Sequence, residues 1–460
     1  MSFKLKTLTT KLILAGLIAS SPLLAQAADA ESEARIQKLE QQVNILLQRL
    51  EGQQVSINEQ KQAVEKNSEA TKNAVIAKTN GRSLKFESAD GAFSAQVGGR
   101  VQVDTAFYSS DLPSGDATDF RRIFLDLRGN VYNDWAYRFQ YDFARPSNDN
   151  TSITSNTSRG IRDAYIKYAG LEAGDITVGQ FKTPFGLEHL TSSLHTTFLE
   201  RGPTHDFTPD RRIGLGLNNN YANWTYAVGV FGDAADANAK NDSVALDEGW
   251  NLIGRVSATP FKSDQSLLHI GLAARQNWAA DSGATQRFRS RPEVHVDGSR
   301  LIDTGSITNV DELQSYGLEL AGVYGPFSVQ GEYVKTQLER KNNQPDLDFD
   351  AWYTYASYFL TGESRQYKNG IFDRTKVKNP VGKGGIGAWE VAARYSTADL
   401  TDGTLIGGQL DNATFGVNWY ATDNVRISAN YIKVLDIDRP GNALDNKDGD
   451  IFAARAQIDF

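Results

Sequence analysis

Most of the chain alternates apolar and polar residues with a period of two. In QVGGRVQVDTAFY (96–108), the apolar residues Val101, Val103 and Phe107 alternate with Gln102 and Asp104. The same pattern recurs in RIFLDLRGNVY, YRFQYDF, NWTYAVGVF, WEVAARYS, TFGVNWY and VRISANYI. Alternation places the apolar residues on one face of a strand and the polar residues on the other. The sequence from residue 84 to residue 460 therefore predicts an all-β domain.

A different period, of seven residues, precedes this domain. Ile36, Val43, Leu50, Ile57 and Val64 recur at that spacing. A sustained heptad predicts a left-handed coiled coil, because 3.5 residues per turn keeps one seam facing a neighbouring helix. We assign residues 30–68 to an oligomeric coiled coil, most simply a trimer, and 69–83 to a polar linker. A single amphipathic helix folded on the main domain is the alternative.

The amino-terminus has the features of a secretory signal peptide. Lys4, Lys6 and Lys11 accompany the apolar run LILAGLIASSPLL, and Ala-Gln-Ala at 25–27 is a small-x-small cleavage site. The apolar run is too short to span a bilayer. Residues 1–27 are therefore predicted to be removed during export, which would place the coiled coil in the periplasm.

Composition narrows the class of exported protein. The chain has no cysteine, which excludes disulfides and thiolate chemistry. Its formal charge of −8 becomes about −11 without the three lysines of the signal, which argues against a nucleic-acid partner. No histidine spacing requires a metal, no cofactor motif is present, and no constellation indicates an enzyme.

Two architectures fit strands with one apolar face: a soluble sandwich or barrel, and an outer-membrane barrel whose apolar face contacts lipid. Aromatic residues on the apolar parity, such as Trp224, Trp250, Trp389 and Tyr431, favour the membrane barrel, because such residues form its interfacial girdles. About 375 residues allow roughly sixteen antiparallel strands, a size that leaves an aqueous channel.

Several segments together resemble the phosphate-selective porin O and P family. They are DFRRIFLDLRGNVYNDWAYRFQYDF (119–143), AYIKY (164–168), VGQFKTPFGLEHLTSS (178–193), FLERG (198–202), RRIGLGL (211–217), SYFLTGESRQY (357–367) and GAWEVAARYS (387–396). The resemblance covers about 83–460. It implies a sixteen-stranded, trimeric outer-membrane channel for phosphate and polyphosphate, and recognition of the terminal Phe460 by the outer-membrane assembly machinery.

Arginine and lysine side chains are the candidate anion-binding groups, because a guanidinium offers several donors in a fork that matches phosphate oxygens. Arg121 and Arg122 are adjacent, so both can face the lumen only at a strand end or a bulge. Arg287, Arg289 and Arg291 are spaced by two, which in an extended segment would align them as a ladder; a solvated basic loop outside the barrel is the alternative.

The segment after Lys182 is long, polar and poorly alternating, as expected of a loop that folds inward and narrows a channel. By resemblance, Lys182 and Arg201 are constriction residues, and Ser192 and Ser193 are hydroxyl donors to the same ion. An ordinary loop position remains the alternative for each.

Further arginines on the polar parity are predicted to line the lumen. They are Arg100, Arg128, Arg138, Arg255, Arg275, Arg394, Arg426 and Arg455. Counting Arg122, Lys167 and Arg212 as well, eleven bases face eight acids on the strands that can be phased. Because this excess is modest, selectivity must depend on where the bases cluster.

The sequence thus favours a passive, anion-selective porin for phosphate or polyphosphate. A general, sugar or carboxylate porin of the same fold is the first alternative. A tethering protein that acts through its coiled coil, with the barrel as an anchor in outer-membrane lipid, is the second.

Overall fold

The computed structural model describes residues 28–72, 74–79, 83–144, 160–235, 248–280 and 284–460. The chain divides into two compact units, Met1–Ala74 and Val75–Phe460. The predicted signal peptide, 1–27, lies outside the described residues.

The first unit contains one long helix, α1 (Ala28–Lys72). It includes all of the predicted segment 30–68 and continues four residues into the predicted linker. The heptad residues are exposed along it, with Ile36 at 54%, Val43 at 51% and Leu50 at 62%. Among the described residues, no helix combines the length and apolar character that crossing a membrane requires.

The second unit is built from strands, as the alternation predicts. Within the predicted linker, residues 75–79 already form the first strand. The strands are β1 (Val75–Thr79), β2 (Leu84–Ser88), β3 (Phe93–Tyr108), β4 (Ala117–Val131), β5 (Trp135–Asp142), β6 (Ile161–Tyr168), β7 (Asp175–Lys182), β8 (Arg211–Asn220), β9 (Trp224–Phe231), β10 (Trp250–Lys262), β11 (Ser266–Trp278), β12 (Arg289–Ser290), β13 (Ile302–Asp303), β14 (Val310–Tyr324), β15 (Phe327–Arg340), β16 (Leu347–Phe359), β17 (Gln366–Lys368), β18 (Ile371–Asp373), β19 (Ala388–Asp402), β20 (Leu405–Tyr420), β21 (Val425–Asp438) and β22 (Gly449–Asp459).

Sixteen of these strands close into one antiparallel barrel. They are β3 to β11, β14 to β16 and β19 to β22, each paired with its neighbour in chain order. Pairing of β22 with β3, from Ile451↔Tyr108 to Asp459↔Arg100, closes the ring. We call the end where β3 begins and β22 ends the base, and the opposite end the mouth. The predicted fold class of a sixteen-stranded antiparallel barrel is confirmed.

The wall has the two faces that the alternation predicts. Along β11, the residues at Leu268, Ile270 and Leu272 are exposed on the outer face, while those between them are buried. The outer face is therefore apolar, as a barrel surrounded by lipid requires.

The barrel interior is partly filled by chain. Near the mouth, Phe288, Leu301 and Ile302 of the connection 279–309 pack with wall residues such as Leu338 and Ile432 in one apolar cluster. From the base, the connection 360–387 brings the hairpin of β17 and β18 inside. These two insertions, together with the connection 183–210, narrow the space that is left for solvent.

Candidate functional site

The connection 183–210, between β7 and β8, folds into the barrel, and we call it the inward loop. It contains a short helix, α2 (Leu187–Leu190), and a 3₁₀ turn (Pro203–Phe207). Glu332 of the wall accepts hydrogen bonds from the backbone N–H groups of Leu187 (2.8 Å) and Glu188 (2.7 Å). The first turn of α2 is therefore fixed to the opposite wall.

A cavity of about 700 Å³ lies between the inward loop and the wall and extends to the base. Its lining includes eleven arginine and lysine side chains but only four acidic side chains. The bases are Arg100, Arg122, Arg128, Arg138, Arg162, Lys167, Lys182, Arg201, Arg211, Arg255 and Arg374, and the acids are Asp126, Asp163, Asp373 and Asp459. The local excess of positive charge is larger than the modest excess counted along the strands.

Lys182 and Arg201 converge on the backbone of α2 from the two ends of the inward loop. The Lys182 ammonium donates to the carbonyl oxygens of His189, Leu190 (3.2 Å) and Thr191 (3.2 Å). The Arg201 guanidinium donates to the carbonyl oxygens of Glu188 and Thr191, each at 2.7 Å. Carbonyl oxygens orient these cations without removing their charge.

Ser192 and Ser193 also line the cavity. Arg100 donates to the Ser193 hydroxyl at 2.8 Å, and its guanidinium lies 4.6 Å from the centre of the Phe124 ring. Among the described residues, no carboxylate forms an ion pair with Arg100, Arg128, Lys182 or Arg201, all of which line the cavity. These four bases supply its uncompensated charge.

Other lining bases are paired with acids. Arg138 contacts both Asp126 and Asp163, the latter at 2.9 Å, and Arg211 contacts Asp163 at 2.6 Å. Arg255 is paired with Glu319 at 2.6 Å. These pairs fix the wall side chains but add little net field, because each base faces a carboxylate.

Arg121 and Arg122 both face the interior, because β4 has a bulge at this point in its pairing with β3. Gln102 of β3 pairs with Arg122, and the next pair is Val103 with Phe120, so Arg121 is the extra residue. Both guanidinium groups approach Glu200 of the inward loop, at 2.8 Å and 3.9 Å.

Glu200 is thus surrounded by arginines. Burial alone would raise the pKa of its carboxyl, but Arg121, Arg122 and Arg455 outweigh burial and hold that pKa well below the usual range. Glu200 therefore stays ionised and neutralises part of the arginine cluster.

Four predicted lumen residues face the interior but do not line the cavity in the described part of the chain. Arg275 donates to Asn251, and the inward loop covers Arg394, Arg426 and Arg455, whose guanidinium groups bind its backbone. An alternating pattern shows which face a side chain occupies, but not whether a loop later covers it.

The predicted ladder of Arg287, Arg289 and Arg291 lies in the connection 279–309 and does not line the described cavity. Within the ladder itself, residues 287–291, only Arg289 and Ser290 form a strand. Arg287 forms an ion pair with Asp303 and keeps 45% of its side chain exposed. The segment is therefore not the long extended row that a spacing of two allows.

Two histidines of the inward loop face each other. His189 Nδ1 and His205 Nδ1 are 3.3 Å apart, and the rings stack with centroids 5.2 Å apart. Burial lowers the pKa of His189, and the nearby Lys182 cation lowers it further. Burial and Arg201 lower the pKa of His205 to about 3. Both rings are neutral near pH 7, with one N–H donating to the other ring.

Sequence reasoning missed several lining residues, among them Arg162, Arg211 and Arg374. For Arg211 a signal existed in the adjacent pair Arg211 and Arg212, of which only Arg212 was counted among the lumen bases. Lys182 pairs with Arg211 across the sheet, which directs Arg211 toward the cavity, while Arg212 contacts Asp233. Arg162 and Arg374 lie beside loops, where alternation carries no information.

Comparison with known proteins agrees with this architecture. The profile of the family "Phosphate-selective porin O and P" matches residues 95–460. Porin O of Pseudomonas aeruginosa is 31% identical over 426 residues, which cover 84% of this chain and 92% of that protein. A protein of Caulobacter vibrioides is 31% identical over 82% of this chain and 76% of its own length.

Among solved structures, an anion-selective porin from Comamonas acidovorans aligns with a TM-score of 0.47 and 15% identity, covering 80% of this chain and all of that one. The channel DcaP of Acinetobacter baumannii aligns with a TM-score of 0.48 and 12% identity, covering 82% and 99%. Because the family profile matches residues 95–460 and porin O is 31% identical over 84% of this chain, the chain belongs to the phosphate-selective porin O and P family of outer-membrane porins.

Proposed function

We propose that this porin is a passive, anion-selective diffusion channel for phosphate and polyphosphate. The supporting observation is the lining of the cavity, where eleven bases outnumber four acids and Arg100, Arg128, Lys182 and Arg201 pair with no described carboxylate. Rings of arginine and lysine at a narrow point are the usual filter for anions.

We assign the constriction to five residues that line this cavity beside or on the inward loop: Arg100, Lys182, Ser192, Ser193 and Arg201. An anion that enters loses part of its hydration, and ammonium, guanidinium and hydroxyl donors replace it. Because Lys182 and Arg201 already share their donors with carbonyl oxygens, they attract the anion without enclosing it. Binding of this kind is weak enough for release, which conduction requires.

Planar-bilayer recordings test the proposal. A reversal potential measured under a chloride gradient should show anion selectivity, and millimolar phosphate should block the chloride current. Chloride current that is unaffected by phosphate would leave a general or other-solute porin of the same fold as the better assignment. A protein with no measurable conductance would instead favour the tethering role.

The remaining parts of the proposal concern assembly. The exposed heptad residues of α1 would be covered in a parallel trimer, so we assign Ala28–Lys72 to a periplasmic coiled coil of a homotrimeric porin. The signal peptide is removed on export, Phe460 is read by the assembly machinery, and the apolar outer face contacts outer-membrane lipid. Chemical cross-linking of the exported protein should give a trimer that a deletion of 30–68 weakens.

A further inference from the structure

Wall side chains on five neighbouring strands hold residues 193–200 of the inward loop. At one end, the carbonyl oxygen of Ser193 accepts a hydrogen bond from Gln102 (3.3 Å), and that of Leu194 accepts one from Gln457 (3.3 Å). The donors lie on β3 and β22. The contacts are made to backbone oxygens, so they depend on the path of the loop and not on its side chains.

Arginines continue this row toward the other end. Arg455 of β22 donates to the carbonyl oxygen of Leu199 at 2.6 Å, and Arg394 of β19 donates to that of Glu200 at 3.1 Å. Both side chains are almost completely buried, at 4% and 0% exposure. An anion in the cavity could not reach either guanidinium while the loop is in place.

Arg426 of β21 makes the most specific contact. Its two terminal nitrogens donate to the carbonyl oxygens of Thr196 and Thr197, each at 2.7 Å. One of them also donates to Asn418, whose own amide donates to the Thr197 carbonyl oxygen at 2.9 Å. Two parallel bonds from one planar group fix both position and orientation, which a lysine cannot do.

We propose that Arg394, Arg426 and Arg455 are positioning residues that fix the inward loop, and hence the constriction, without contacting the anion. This inference rests on the channel function proposed above. The loop that they hold carries Arg201 and the carbonyl oxygens that orient Lys182. The path of the loop therefore sets both the width of the channel and the positions of these two anion-binding side chains. Loss of one anchor should widen the bore and spread the binding groups.

The first test separates positioning from charge. In bilayer recordings, Arg426→Lys keeps the charge but loses the fork, and Arg426→Gln loses both. If Arg426 acts by positioning the loop, both variants should show noisier open-channel current and roughly tenfold weaker phosphate block. A single hydrogen bond from a charged donor contributes a free energy that corresponds to about a tenfold change in affinity. Arg340, which lies at the end of β15 and does not line the described cavity, is the matched control: Arg340→Lys should keep the wild-type block and noise.

The second test restores the position without the charge. The chain contains no cysteine, so Thr197→Cys with Asn418→Cys in the Arg426→Gln background permits only one disulfide within a chain. Oxidation should return noise and block to within about twofold of wild type, and reduction should abolish the rescue. Barrel folding of every variant is checked by its heat-modifiable migration on a gel, and if the disulfide does not form, the lysine and glutamine variants alone decide.

Two outcomes overturn the inference. One is an Arg426→Lys channel with wild-type noise and block beside an impaired Arg426→Gln channel, since the charge would then be the active property. The other is a lack of effect in both variants. Either result is distinct from failure of the proposed function, which would appear as absent anion selectivity in the wild-type channel.

Discussion

Replacing Lys182 by methionine is the most direct test of the assigned constriction. The ammonium lies at the end of β7, lines the cavity, and forms no ion pair with a described carboxylate. Methionine keeps much of the length of the side chain and removes the charge. The expected result is weaker block of chloride current by phosphate.

The size of the effect follows from Coulomb's law. A unit charge about 4 Å from an anion contributes roughly 1 kcal/mol in water and about 4 kcal/mol at an effective dielectric constant of about 20. Because the cavity holds solvent but has a protein wall, the free energy of anion binding that is lost in Lys182→Met should fall between these limits. That range corresponds to block weakened by roughly fivefold to several hundredfold.

The assay is the phosphate concentration that halves single-channel chloride current. Lys167→Met is the matched control, since Lys167 lines the same cavity but is paired with Asp175 at 2.9 Å. Lys182→Arg, which retains the charge, should stay close to wild type. Equal losses in Lys182→Met and Lys167→Met would refute the reasoning, because the block would then depend on total charge and not on one position.

Three further predictions address other parts of the molecule. Glu200→Gln should lower the free energy of unfolding by roughly 2 kcal/mol. Because the pKa of Glu200 in the folded protein lies well below 4.5, its contribution to stability is present above the ordinary glutamate pKa and is lost as pH falls through the folded pKa. A difference in thermal midpoint between wild type and variant that vanished near neutral pH would contradict this prediction. Block of the chloride current by sulfate should change by less than about twofold from about pH 7.5 to about pH 5.5, because burial keeps His189, His205 and the cavity-lining His195 neutral, and a steep rise on acidification would contradict this expectation. Gly99→Ala should reduce the yield of closed barrel, because an added Cβ would lie 2.7 Å from a backbone oxygen and 2.8 Å from the phenyl ring of Phe460. Gly322→Ala, where the nearest atom would be 3.4 Å from the added Cβ, should not reduce it, and equal yields for the two variants would contradict the steric argument.

The wall could be predicted from the sequence because alternation is a local property. Each strand carries its own apolar face, as in β11, and the turn residues between strands limit the register. The bulge at Arg121 also left a local trace, since two adjacent arginines in a strand cannot both face inward without an extra residue. The approximate number of strands and most of the inward-facing side chains could therefore be predicted from the sequence.

The path of the inward loop could not be predicted in the same way. Arg128 and Arg426 are both arginines on the polar face of their strands. Arg128 is exposed in the cavity, whereas Arg426 is buried against Thr196 and Thr197. The difference arises from contacts between residues about 230 positions apart in the chain. Such contacts leave no periodic signal, so a row of arginines that looks uniform in sequence divides into two structural classes.

The seam between β3 and β22 has a consequence for biosynthesis. Asp104 and Arg455 pair across it although 351 positions separate them. Since this pairing joins the first and last wall strands, the ring cannot form until the final strand has been made and exported. Every shorter product would retain two unpaired sheet edges, which are prone to aggregation. Loss of β22 should therefore be seen in cells as removal by periplasmic proteases, before any defect in conduction could be measured.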